Sequence, residues 1–152
     1  MILGPVEARG ALHVISNMRE WDRREIFATR TEDDDIRLLE DVLALPAPAW
    51  MASKGEPIAL FGCVPLWPGV WSMWFFATDN LHQIGIGVTR VIIKAIVPML
   101  WEGGAHRLEC RSMEGHTQAQ DWLEVIGARR ECTLRRFGRE GEDFHVYVWE
   151  KP

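Results

Sequence analysis

The sequence predicts a mixed α/β (α+β) architecture around a mostly antiparallel sheet of about seven strands. Three observations predict it. Between Trp50 and Thr78 three strand-like runs follow one another, separated only by turn residues. A long apolar stretch from Ile84 to Leu100 then has the length of a helix rather than a strand. After a further strand and a short helix, the chain closes with two more strand-like runs. Runs of strands followed by alternating helices and strands lead to one sheet packed against helices in layers.

The elements follow in order. Gly4 to Arg9 reads as a short strand, and Ala11, Leu12, Val14, Ile15 and Met18 then recur at helical spacing. Glu20 to Thr29 predicts a second helical piece. Glu32 to Leu45 predicts a third, opened by acids and stopped by Pro46 and Pro48. Trp50–Ser53, Pro57–Val64 and Val70–Thr78 read as strands. Lys54-Gly55-Glu56 and the stretch from Pro65 to Gly69 supply the turns of an antiparallel meander. The long helix from Ile84 to Leu100 is expected to end at Pro98 and Gly103-Gly104. His106–Ser112 is a strand, and Thr117–Ile126 a helix with Gly127 at its C-terminal stop. Glu131–Phe137 and Phe144–Glu150 form a hairpin across Gly138 to Asp143. No repeat or linker divides the chain, so residues 1–152 are expected to form a single domain.

Composition removes several function classes. The net charge of −5 argues against a general nucleic-acid binder, because phosphate contacts need a basic surface. Arg129, Arg130, Arg135, Arg136 and Arg139 make a local basic patch, read as a solvated face beside Glu131, Glu140, Glu142 and Asp143. Cys63, Cys110 and Cys132 have no metal or redox spacing; Cys63 and Cys110 lie in apolar runs as buried free thiols. His13, His82, His106, His116 and His145 have no ligand spacing. Arg90 and Lys94 interrupt the apolar stretch, and each would cost about 2.5–3.5 kcal/mol at a bilayer centre, so no membrane span is expected. No secretory signal opens the chain, which points to cytosolic synthesis. Eight tryptophans stand against one tyrosine. Trp67, Trp71 and Trp74 fall around one hairpin, where they serve either as packing or as an aromatic binding surface.

The most informative segment is Asp79-Asn80-Leu81-His82-Gln83-Ile84-Gly85-Ile86-Gly87-Val88. An aromatic strand runs through a polar corner into a helix with two glycines in its first turn. Glycine costs roughly 1 kcal/mol against alanine within a helix, so the pair asks for a reason. A helix N-terminus offers free N–H groups and the positive end of its dipole, and a close-approaching diphosphate fits both.

This order, with the glycine turn after the fourth strand, resembles the GNAT superfamily of N-acetyltransferases. The resemblance implies a GNAT-like central sheet with helices on both faces and acetyl-coenzyme A (acetyl-CoA) as cofactor. In that family the fourth and fifth strands splay apart, the pantetheine arm lies in the gap, and the diphosphate sits on the following helix. The family's turn reads Gln/Arg-x-x-Gly-x-Gly/Ala. Here it is His82-Gln83-Ile84-Gly85-Ile86-Gly87, with both glycines in place and histidine at the first position. The resemblance therefore assigns the cofactor to Ala77, Thr78, His82, Gln83, Ile84, Gly85, Ile86, Gly87 and Val88. Ala119 to Ala128 is similar to the family's later helix, with Gly127 matched and Ala128 in place of phenylalanine. The tyrosine that members often use to protonate the leaving thiolate falls at Leu123, and the neighbouring Trp122 is no acid. A narrower likeness, to the small internal virion proteins of short-tailed phages, rests on Pro57-Ile58-Ala59-Leu60, Trp74 to Asp79, Gly115-His116-Thr117 and Trp122 to Ala128. Met18 to Ile26 is similar to longer phage relatives.

If the chain is an enzyme, a backbone N–H near Ala77 or Thr78 polarises the thioester carbonyl. The base is sought among Asp79, Glu109 and His116. Each has a plain alternative: Asp79 a helix cap, Glu109 an arginine partner, His116 a turn residue. Two functions follow. One is an acetyl-CoA-binding acetyltransferase-like protein with an unidentified amine acceptor. The other is a catalytically degenerate virion component, made in the cytoplasm, incorporated into a phage particle and partnered by other virion proteins. The helix at 84–100 carries apolar residues on more than one face, which predicts a second contact, from the chain's own tail or from a partner in a homo-oligomer or larger assembly.

Overall fold

The computed structural model describes residues 1–152. Its strands are β1 (Ile2–Pro5), β2 (Ala49–Lys54), β3 (Glu56–Trp67), β4 (Val70–Ala77), β5 (Arg107–Met113), β6 (Arg129–Leu134) and β7 (Phe144–Glu150). Its helices are α1 (Ala8–Ser16), α2 (Glu20–Ala28), α3 (Asp35–Ala44), α4 (Gly85–Val91), α5 (Val97–Glu102) and α6 (Thr117–Val125). The seven strands form one sheet in the order β1-β2-β3-β4-β5-β7-β6. Every neighbouring pair is antiparallel except β4 and β5, which run parallel because the chain crosses over through α4 and α5 between them.

Strand alternation sends successive side chains to opposite faces. Leu60 and Phe76 face α1–α3, where they meet Val14, Ile15, Phe27, Leu38 and Val42. Phe61, Cys63 and Ala77 face the other way, onto Ile84, Val88, Ile92, Ile96, Leu100 and Leu123. Helices thus cover both faces of the sheet. The same alternation separates the hairpin tryptophans: Trp71 packs on the α4–α6 side, Trp74 stacks on Phe76 at 5.6 Å, and Trp67 stands 62% exposed.

Local chemistry moves several boundaries. The strand expected through Arg9 ends at Pro5, because Glu7 accepts from the N–H groups of Arg9 and Gly10 and starts α1 instead. Asp34 caps α3 in the same way, through the N–H of Arg37 at 3.0 Å. The turn expected over Pro65–Gly69 shrinks to Pro68-Gly69, with Trp67 paired to Val70 and Gly69 at a φ of 86°. β6 stops at Leu134 rather than Phe137, since Arg136 is left-handed at a φ of 54°.

Pro98 does not end the long helix. The chain passes through a π-turn at Ile92–Ile96, closed by the Val97 N–H on the Ile92 carbonyl, and continues to Glu102. The buried residues Ile84, Val88, Ile92, Ile96 and Leu100 repeat every fourth position. A straight α-helix of 3.6 residues per turn drifts by roughly 40° at each such step, and the wider π-turn takes up part of that drift. No helix is long and apolar enough to cross a membrane.

His145 in β7 is 7% exposed and its Nδ1 lies 2.9 Å from the Thr133 hydroxyl of β6. Burial, and then the Arg130 charge, holds the imidazole below its ordinary value of 6.5. A depressed histidine stays neutral in the fold while the unfolded chain takes up the proton. The stability it protects is therefore complete above about pH 6.5 and is lost as the pH falls through the folded value. Thermal denaturation from pH 7.5 to 5 should fall more steeply for the natural chain than for His145→Gln; parallel curves would refute the assignment.

Candidate functional site

β4 and β5 share three residue pairs, Val70 with Arg107, Trp71 with Leu108 and Ser72 with Glu109, and then part. The Thr78 N–H bonds back to Ile58 of β3 at 2.8 Å. By alternation, the N–H groups of Met73, Phe75 and Ala77 point the other way, into the gap. The gap opens a cleft of about 1140 Å³. Met73 and Phe75 line one bank, Cys110 and Ser112 the other, with Ile86 of α4 and Trp122 of α6 at one side. Trp122 packs on Phe75 at 4.9 Å and donates its indole N–H to Thr89 at 2.9 Å, which fixes α6 to α4.

Across the wide end of the cleft lies α2. The Asp22 carboxylate receives Arg19 in a two-pronged ion pair at 2.8 and 2.9 Å, and its Oδ2 also accepts the Ala77 N–H at 2.9 Å. Burial raises the Asp22 pKa; Arg19, the Ala77 N–H and His116 pull the other way. One turn further, Glu25 Oε2 accepts from the Met113 N–H at 2.8 Å and the Ser112 hydroxyl at 3.1 Å. It also lies 2.9 Å from Nδ1 of His116. His116 is 2% exposed, stacks on Trp21 at 5.5 Å, and points Nε2 toward Asp22 at 3.6 Å.

The corner after β4 is a 3₁₀ turn at Asp79–Gln83, capped by the Thr78 side chain and braced by His82 Nδ1 at 3.1 Å from the Asp79 carbonyl. No side chain caps α4. Its first intrahelical N–H is that of Val88, on Ile84 O at 2.9 Å, so those of Gly85, Ile86 and Gly87 have no acceptor within α4. A Cβ at Gly85 would meet nothing within 4 Å. At Gly87 it would meet the Met1 sulfur at 3.0 Å, so that glycine's open face is covered by the chain's own first side chain.

Of the residues expected at the site, Asp79, His82, Gly85, Ile86, Val88 and His116 line the cleft. Ala77, Thr78, Gln83, Ile84 and Gly87 lie outside its walls, Ile84 because it is buried in the core. Neither of the two amides expected to polarise a carbonyl is free: Ala77's is held by Asp22 and Thr78's by Ile58. The strand N–H left facing the gap beyond the last β4–β5 pair is that of Phe75. Glu109 is also displaced from the site. It faces away from the cleft, bound by Arg107 at 3.0 Å with Arg111 at 3.9 Å. Leu123 is buried, and the hydroxyl of Tyr147 in β7 accepts from Arg130 of β6, so no phenol borders the cleft. Burial pushes the Cys63 thiol up to about 11 and raises that of Cys110 as well, which argues against either as a nucleophile. No group of side chains has the makings of a metal site.

Arg19, Asp22 and Glu25 were not among the expected site residues. A signal was available: Asp22 and Glu25 stand three apart and so share a helix face, directly beside Trp21 and Ile26.

No protein-family model matches the sequence, and no curated protein matches it. Solved structures do. The ribosomal-protein-alanine N-acetyltransferase from Brucella melitensis is 13% identical at a TM-score of 0.70, covering 99% of this chain and 100% of its own. The ribosomal-protein-S18-alanine N-acetyltransferase from Escherichia coli is 14% identical at 0.69, covering 98% and 92%. The yncA protein of Salmonella typhimurium, solved with its cofactor acetyl-CoA, is 11% identical at 0.70, covering 98% and 92%. The chain has the GNAT N-acetyltransferase fold.

Proposed function

We propose that the chain binds acetyl-CoA in the β4–β5 cleft and transfers the acetyl group to an amine. The observation that carries this reading is the junction of two features. A cleft between splayed strands, with the Phe75 N–H facing it, leads to a helix start that no side chain caps and whose N–H groups at Gly85, Ile86 and Gly87 have no acceptor within α4. Such a start donates to phosphate oxygens, and the open space at Gly85 lets them come close to the backbone.

Acetyl-CoA supplies the activated acetyl group when bound. The Phe75 N–H is placed to donate to a carbonyl oxygen in the gap and to stabilise the charge that develops there. Asp79 makes no side-chain hydrogen bond within the chain and faces the cleft, so it is available to accept the proton of an attacking amine, directly or through water. His116 is held between Asp22 and Glu25 and orders that wall of the cleft. Water serves as the proton source for the departing thiolate, because no acidic hydroxyl borders the cleft.

That last point favours a second reading. With Leu123 in place of a phenol, the fold also suits a structural component of a phage particle that has lost the chemistry. Calorimetric titration with acetyl-CoA decides between them, with Gly85→Glu as control. The added carboxylate enters open space, so the variant folds, and its negative charge opposes phosphate at the helix start. Binding that Gly85→Glu abolishes supports the cofactor reading and justifies a screen of amine acceptors. No binding at millimolar cofactor leaves the structural reading.

A further inference from the structure

We infer that α2 is a clasp across the wide end of the cleft, and that an extended cofactor arm pairs with β4 beyond Phe75 only when this clasp releases Ala77. The inference rests on the acyl-CoA reading above and concerns the regulation of that same cleft. Both edge groups of Ala77 are occupied by the chain itself. Its N–H donates to Asp22 Oδ2 at 2.9 Å, and its carbonyl accepts the Arg19 N–H at 2.9 Å. Met18 bridges antiparallel to Thr78 next to them. The start of α2 and the residues before it therefore cover the edge of β4 as an additional strand would.

The opposite bank is held from the same helix. Glu25, three residues after Asp22 and on the same helix face, takes the Met113 N–H and the Ser112 hydroxyl of β5. One carboxylate thus grips β4, the other grips β5, and His116 fills the space between them at 3.6 and 2.9 Å. The strands are tied together beyond their last shared pair, at Ser72 and Glu109.

An extended ligand in the gap meets outward-facing backbone groups at alternate residues. Phe75 is available to it and Ala77 is not. Exchange at Ala77 is feasible because Asp22 keeps the Arg19 guanidinium when it lets go of the amide, so no unpaired buried charge is created. The Arg19 N–H, displaced from Ala77, opens toward the cleft that Arg19 already lines.

The test compares coenzyme A with adenosine 3′-phosphate 5′-diphosphate, which lacks the pantetheine arm. Both are titrated calorimetrically into the natural chain, Asp22→Ala and Asp22→Asn, and amide hydrogen exchange is followed at Ala77. In the natural chain the Ala77 amide should be protected, and Asp22→Ala should remove that protection. Asp22→Ala should bind coenzyme A about tenfold more tightly, the scale of one charge-assisted hydrogen bond no longer broken on binding, with the fragment unchanged. Asp22→Asn, whose amide oxygen still accepts from Ala77, should fall between and covers the case in which the alanine variant fails to fold. An Ala77 amide unprotected in the natural chain overturns the clasp. So does an unchanged coenzyme A affinity in a variant that still binds the fragment. Loss of fragment binding by every form, with Ala77 protected, overturns the cofactor reading instead and takes the release step with it.

Discussion

Replacing Phe76 by alanine should destabilise the fold by about 3–5 kcal/mol, the range for deleting a buried aromatic ring. Phe76 is 1% exposed at the centre of the sheet, where it joins Leu60 to the α1–α3 helices. Its ring stacks on Trp74, whose indole N–H is buried without a partner and so contributes packing rather than a hydrogen bond. Deleting the ring removes that contact and opens a void between a strand and three helices, which cannot close without moving both layers. Urea denaturation should show a lower midpoint at an unchanged slope. A loss below about 1 kcal/mol would mean that the helices collapse onto the sheet, and that this core is looser than its burial indicates.

Glu25→Ala should cost about 2–4 kcal/mol and loosen α2 before it affects the rest of the molecule. The substitution strands three donors at once: the Met113 amide, the Ser112 hydroxyl and His116. The upper end is not reached by simple addition, because the Glu25 side chain is 20% exposed and water can enter in its place. Glu25→Gln keeps an oxygen acceptor and should recover about half of the loss. Hydrogen exchange separates this from general damage. Met113 and the α2 amides should exchange faster in Glu25→Ala while the β2–β3 ladder keeps its protection. Uniform acceleration would show that α2 belongs to the main cooperative unit.

Most elements were legible because local chemistry decides them. Gly55 and Pro68-Gly69 punctuate the meander, and Gly127 ends α6 with the Ala128 N–H on Leu123 and the Gly127 N–H on Glu124. The π-turn was not legible. Pro98 reads as a stop, and only packing against the sheet shows why the helix continues past it. The glycine turn was legible as a helix start after the fourth strand, yet Gly87 turned out to be covered by Met1, a contact across 86 positions that no window along the chain contains. Asp22 and Glu25 were missed for the same reason. Their partners Ala77, Ser112, Met113 and His116 lie 55 to 91 residues away, and in the sequence they look like the solvated acids of a surface helix.

The strand order has a consequence for how the molecule assembles. β1 to β4 are neighbours in the sheet, and β2, β3 and β4 are also consecutive hairpin partners, so that half closes on contacts near in sequence. β7 instead inserts between β5 and β6, and β6 has no partner until β7 arrives. The second half is therefore the late one, waiting for the strand synthesised last of the seven. Until then β5 and β6 present unpaired edges, and a chain stalled at that point is the form most exposed to pairing with another copy.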